Sequence, residues 1–226
     1  MKYVTALVIS VFSVIIAYCT LDENISNKFI FFKKEGDEIF QSKKITKLQI
    51  KIIGIIIFIL NVFCVISIVT NVDNYINIIK MFVTIFCVTG AACNDYREHR
   101  IPNIFPLVIA VTGIVCLTVG YFTGQQGSQA YIVSSVFATT VVALSMVVVY
   151  FLTKHGIGMG DIKLLCALSI VGGVYLISGT IFFAMIACSV TAIILLIMKK
   201  KTIKDGVPFG PFIYLGYIVS ILLSIY

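Results

Sequence analysis

Residues 50–70 read IKIIGIIIFILNVFCVISIVT, an apolar run whose one charged residue, Lys51, stands at its edge. A run of about 20 such residues is what a helix needs to cross a hydrocarbon core of roughly 30 Å. Lipid offers the backbone no hydrogen-bond partner, so a spanning segment of this kind is helical. Outward from it, similar blocks lie at about 3–20, 76–93, 104–122, 130–152, 162–178, 180–198 and 207–225. The chain is 60% hydrophobic and 12% charged, against about 25% charged in a soluble domain. Too few charges remain to make a water-soluble surface, which excludes soluble and all-β classes. The expected fold is an all-α polytopic membrane protein of about eight transmembrane helices. The first block has no convincing small-residue cleavage site and is followed by seven others, so it is expected to be a retained helix.

The connections between blocks carry their charge on alternate sides. Segment 21–49 holds Lys28, Lys33, Lys34, Lys43, Lys44 and Lys47; Arg97 and Arg100, Lys154 and Lys163, and Lys199, Lys200, Lys201 and Lys204 fall in later alternate connections or beside them. With eight spans, 15 of the 17 basic residues lie on one face. The positive-inside rule makes that face cytoplasmic and puts both termini outside. The same rule accounts for the net charge of +7; no basic stripe with interleaved aromatics suggests nucleic acid. The bilayer is the expected partner; the Ile- and Lys-rich, Trp-free composition points to an AT-rich bacterial genome, and the expected location is the inner (cytoplasmic) membrane of a bacterium. We divide the chain into residues 1–49, an N-terminal helix with a short basic cytoplasmic segment, and 50–226, the membrane core. Seven cysteines are scattered singly with no CxxC pair, so they read as apolar packing residues, and no metal site is expected.

Ionisable residues at a membrane are costly and mark candidate functional sites. Three segments, all expected at the cytoplasmic face, concentrate them or the unusual backbone residues. In Asp95-Tyr96-Arg97-Glu98-His99-Arg100-Ile101-Pro102-Asn103, Asp95 ends the third block and Pro102 separates it from the fourth. In Gly156-Ile157-Gly158-Met159-Gly160-Asp161-Ile162-Lys163, alternate glycines free the backbone beside Asp161. Taken alone, Asp161 also reads as a helix N-cap. In Val207-Pro208-Phe209-Gly210-Pro211-Phe212, prolines and glycines open the last block and supply no catalytic side chain.

Asp95 and Asp161 change meaning together. If their spans are neighbours, two carboxyl groups share one site, cannot both ionise cheaply, and hold one proton between them. That is the requirement of an aspartic protease, in which one carboxylate activates water while the other carboxyl donates to the scissile carbonyl.

These segments closely resemble the three signatures of type IV prepilin peptidases: Asp95 with Ile101-Pro102-Asn103, then Gly158-Met159-Gly160-Asp161-Ile162-Lys163, then Val207-Pro208-Phe209-Gly210-Pro211-Phe212. The resemblance covers roughly residues 76–226. It implies a GxGD-type membrane aspartic endopeptidase with Asp95 and Asp161 as catalytic pair, cutting the leader from prepilins or pseudopilins of type IV pilus or protein secretion systems at the cytoplasmic membrane face. Gly158, Gly160, Lys163, Pro102, Asn103, Pro208, Gly210 and Pro211 are then substrate-binding or supporting residues. Larger members of the family carry a cytoplasmic domain with paired CxxC motifs and N-methylate the new amino terminus. Segment 21–49 contains no cysteine, so neither that methyltransferase activity nor bound zinc is expected, and no cofactor is assigned.

Helix ends give a first assignment of roles. Asp161 opens a helix, where partial positive charge favours the carboxylate, and Asp95 closes one, where the opposite field favours the acid. This makes Asp161 the base and Asp95 the acid. Lys163 reads as an interfacial anchor, with Arg97, His99 and Arg100 facing lipid phosphate. The competing readings are a multi-span transporter, which expects acidic groups near mid-span, and a catalytically silent assembly protein.

Overall fold

In a computed structural model the described residues are 11, 15, 47–71, 74–124, 127–153, 157–198 and 207–223; among them every regular element is helical. Val11 and Ile15 are helical, and six helices follow: α1 Lys47–Asn71, α2 Tyr75–Glu98, α3 Ile104–Phe122, α4 Ser128–Leu152, α5 Met159–Ile197 and α6 Gly210–Leu223. The first five are long and apolar enough to cross a membrane; α6, with 14 residues, is shorter.

Local chemistry sets several of the ends. Asn74 caps α2, its side chain accepting from the Ile76 N–H at 2.9 Å. At the other end His99 takes a left-handed conformation (φ 52°) and its N–H donates to the Asp95 carbonyl, closing the helix just before Pro102. Both α3 and α6 carry a proline in their first turn, Pro106 and Pro211, where no intrahelical N–H is required.

Burial separates two helices from the rest. α2 and α6 are enclosed along most of their length, whereas α1, α3, α4 and α5 turn large apolar side chains outward, among them Phe63, Leu107, Val133, Phe137 and Phe182. A bilayer solvates such surfaces, so the packing inside relies on close backbone approach more than on apolar burial. The α5–α6 contact illustrates this: a Cβ on Gly216 would lie 2.8 Å from the Ala184 amide nitrogen, and one on Gly179 would lie 3.3 Å from Ser220 Cβ.

α5 is broken at Gly173, where φ is 60° and ψ −166°, a region open essentially to glycine alone. Before the break, Gly160 packs on Ile101, Lys163 bonds Asn103, and Ile170 and Val171 pack on Gly113. That half therefore runs parallel to α3. After the break, Leu176 meets Ser220, and Thr180 and Ala184 meet Gly216. That half runs antiparallel to α6. Both α3 and α6 run antiparallel to α2: Cys116 lies near the Ile76 carbonyl, and Gly210 and Tyr214 meet Asp95 and Thr89. The two halves of α5 thus point in opposite directions, and the chain doubles back at Gly172–Gly173. A Cβ on Gly172 would sit 2.8 Å from the Leu176 Cβ, where a continuous helix keeps Cβ atoms four residues apart at about 5–6 Å.

The expectation of eight transmembrane helices is not supported. The block at 3–20 lies, apart from Val11 and Ile15, outside the described residues, as do segment 21–46, Lys154, Gly156 and residues 199–206. The blocks at 162–178 and 180–198 correspond to the two oppositely directed halves of α5, but the reversal between them is at Gly173; Gly179, the expected turn, is helical. The sequence hides that reversal because it is made by glycines inside an unbroken apolar run, with no polar residue to mark it. α1 begins at Lys47, ahead of the expected start, and α6 at Gly210, behind it.

Candidate active site

Asp95 occupies the last turn of α2, 5% exposed. Its Oδ2 accepts a hydrogen bond from the Gly210 N–H at 2.7 Å. Gly210 is the first residue of α6, so Asp95 meets a helix N-terminus, where free N–H groups and the helix dipole favour negative charge. Only glycine permits the contact: a Cβ at 210 would lie 2.8 Å from Asp95 Cβ and 2.9 Å from its Oδ2.

Asp161 lies in the first turn of α5, behind the extended Gly158. Its Oδ1 is buried with no hydrogen-bond partner among the described residues. α2 and α5 touch, and the Asp95 and Asp161 carboxylates are near enough to repel each other when both are charged. The two aspartates singled out by the sequence are thus brought to one end of the bundle.

The other motif residues fix this end. A Cβ on Gly160 would stand 2.9 Å from Ile101 Cβ, so the start of α5 presses on the α2–α3 connection without a side chain between them. Lys163 Nζ donates to Asn103 Oδ1 at 2.9 Å, a strut between the same segments where a headgroup anchor was expected. Pro102, Pro208 and Pro211 are half-buried, and Gly158 is exposed. Arg97, expected to face lipid phosphate, is 3% exposed and pairs with Glu98 at 2.8 Å; His99 and Arg100 are exposed.

The sequence singled out Gly210 as a supporting residue but not the use of its N–H, and it did not single out Asn94. The Gly210 N–H is a backbone donor, and nothing distinguishes its glycine from one that merely bends the chain. Asn94, adjoining Asp95, is 2% exposed, and neither side-chain atom has a hydrogen-bond partner among the described residues. Buried amides left unpaired by protein mark places where water or a ligand supplies the bond.

The geometry adds a second influence on Asp95 to the helix-end fields. The C-terminal field of α2 favours the acid form of Asp95, but a direct charge-assisted bond from the N-terminus of α6 outweighs a dipole effect: about 1.5–3 kcal/mol against about 0.3–1 kcal/mol. The arrangement suits a carboxylate at Asp95 and the shared proton on Asp161.

A protein-family model described as "Type IV leader peptidase family" matches residues 81–196, just over half of the chain. No curated protein and no solved structure matches the chain.

Proposed function

The chain belongs to the type IV leader peptidase family, and on that premise we propose that it is a membrane-embedded aspartic endopeptidase that removes the leader of type IV prepilins or pseudopilins. The observation that carries this reading is the pairing of Asp95 and Asp161 at one end of the bundle, with Asp95 held by the Gly210 N–H. The excess of Lys and Arg in alternate connections favours the cytoplasmic face for that end.

In the proposed reaction a water molecule lies between the two carboxyl groups. Ionised Asp95 takes a proton from it as its oxygen attacks the scissile carbonyl carbon. Protonated Asp161 donates to the carbonyl oxygen and stabilises the developing negative charge. When the tetrahedral intermediate collapses, the C–N bond breaks, the leaving nitrogen receives the proton carried by Asp95, and one hydroxyl of the intermediate returns its proton to Asp161 as the carboxyl group forms. The products are the leader's new carboxyl terminus and the free amino terminus of the mature pilin. Exposed Gly158 leaves room for substrate backbone beside Asp161, while Gly160 lets the start of α5 pack on Ile101. The Ile101–Asn103 connection and Lys163 hold the start of α5 against α2.

The test is co-expression with candidate prepilins followed by mass measurement of each pilin. Loss of the basic leader just ahead of its hydrophobic stretch supports the proposal. Intact prepilins, with the protein folded in the membrane, favour a transporter or a silent assembly protein. The same spectra register any methylation as a gain of about 14 Da, and a pilin of unmodified mass is expected here.

A further inference from the structure

Far from the aspartates, a second polar cluster lies inside the bundle. Lys80, on α2, is 2% exposed. Its Nζ donates to the Tyr131 hydroxyl of α4 at 3.0 Å and stands 4.3 Å from the centre of that ring. Among the described residues no carboxylate forms an ion pair with it. The Tyr131 hydroxyl donates in turn to the Val171 carbonyl, and Ser134 Oγ accepts from the Val174 N–H at 3.1 Å. Val171 and Val174 flank the reversal at Gly173, where backbone groups lose their helical partners. A lone ammonium buried at membrane depth is expensive, and the function proposed above does not use it.

The position of the cluster suggests its use. α2 carries Asp95 near one end and Lys80 toward the other; the first half of α5 carries Asp161 at its start and Val171 at its close. The chain Lys80–Tyr131–Val171 thus ties together the same two helical segments whose opposite ends bring the carboxyl groups together. Gly113 adds a tight contact at that level, since a Cβ there would lie 2.9 Å from Ile170 Cγ2. A segment tied at both ends cannot slide or tilt without breaking one tie. We propose that Lys80 and Tyr131 are positioning residues for peptide cleavage: their relay to the carbonyl at the helix reversal fixes how Asp161 presents itself to Asp95. This rests on the peptidase reading above.

The test has a catalytic arm and a structural arm. In membranes bearing the full chain, Tyr131→Phe and Lys80→Met each should lower kcat for prepilin cleavage about tenfold with KM unchanged. The double variant should be no worse than the poorer single, as members of one relay are non-additive. Separately, spin labels at Glu98→Cys and Met159→Cys, in a chain whose own cysteines are replaced, report the spacing of the two aspartate-bearing ends. Tyr131→Phe should broaden that distance distribution. Should either variant fail to insert, Ser134→Ala, which removes the acceptor of the Val174 N–H alone, carries the same expectations. Wild-type kcat with an unchanged distribution, additive losses in the double variant, or a lowered melting temperature at full kcat would each overturn the proposal. Asp161→Ala separates the two claims: a variant that still cleaves sinks the peptidase reading, while the label distances still judge the relay.

Discussion

The N–H of Gly210 donates to Oδ2 of Asp95 at 2.7 Å, joining residues 115 positions apart and seating one carboxylate on the N-terminus of the last helix. Through that bond a segment with no catalytic side chain becomes part of the site. In the proposed reaction it makes Asp95 the ionised partner and Asp161 the proton carrier.

Gly210→Ala tests that bond. The added Cβ would stand 2.8 Å from Asp95 Cβ, so α6 or Asp95 must shift and the contact is lost. A hydrogen bond to a charged group is worth about 1.5–3 kcal/mol, so kcat should fall about 10- to 100-fold, with melting temperature changed much less. Steady-state cleavage kinetics and a thermal melt in detergent check both parts.

Asn94→Leu separates function from stability. The buried amide has no hydrogen-bond partner among the described residues, so a similar-sized apolar side chain should leave stability unchanged or raise it. If the amide serves the attacking water or the substrate backbone, kcat should fall about tenfold, the worth of one lost hydrogen bond of about 1 kcal/mol or more. Loss of stability with normal kcat would mark Asn94 as a packing residue.

Lys163→Met and Asn103→Ala each remove an exposed bond of 2.9 Å. Exposed polar contacts contribute about 0.2–1 kcal/mol, so each variant should lose no more than about fivefold in kcat. A loss as large as that of an aspartate variant would assign Lys163 a direct part in the chemistry.

Gly216→Leu tests the α5–α6 interface. A Cβ at 216 would already lie 2.8 Å from the Ala184 amide nitrogen and 3.1 Å from its Cβ. Overpacking of this kind costs about 1–3 kcal/mol, and a lowered midpoint of thermal unfolding measures it.

Much of the site was legible in the sequence because its chemistry sits on side chains at recognisable spacings. Asp95, Asp161, Gly160, Asn103 and Lys163 could be singled out before any helix was positioned, and the apolar blocks gave the start of α3 at residue 104 unaltered. What escaped was carried by the backbone or by context. The reversal at Gly172–Gly173 interrupts an apolar run without a polar residue, so the turn was expected near Gly179, beyond its actual place at Gly173. The Gly210 donor is a main-chain N–H. Lys80 is one of the two basic residues outside the positive face, and its contacts with Tyr131 and through it Val171 are linked to it by no local pattern. Helix-end fields, estimated from sequence position alone, assigned the acid and base without knowledge that a second helix would point its N-terminus at Asp95.

Prepilin cleavage by wild type, Asp95→Asn and Asp161→Asn, all confirmed as folded in the membrane, is the most direct measurement. Leader removal by the wild-type chain, with either amide variant slowed by roughly 10²–10⁴-fold, is what a shared proton between these two carboxyl groups requires. An amide variant that still releases the leader at a rate near wild type would contradict it.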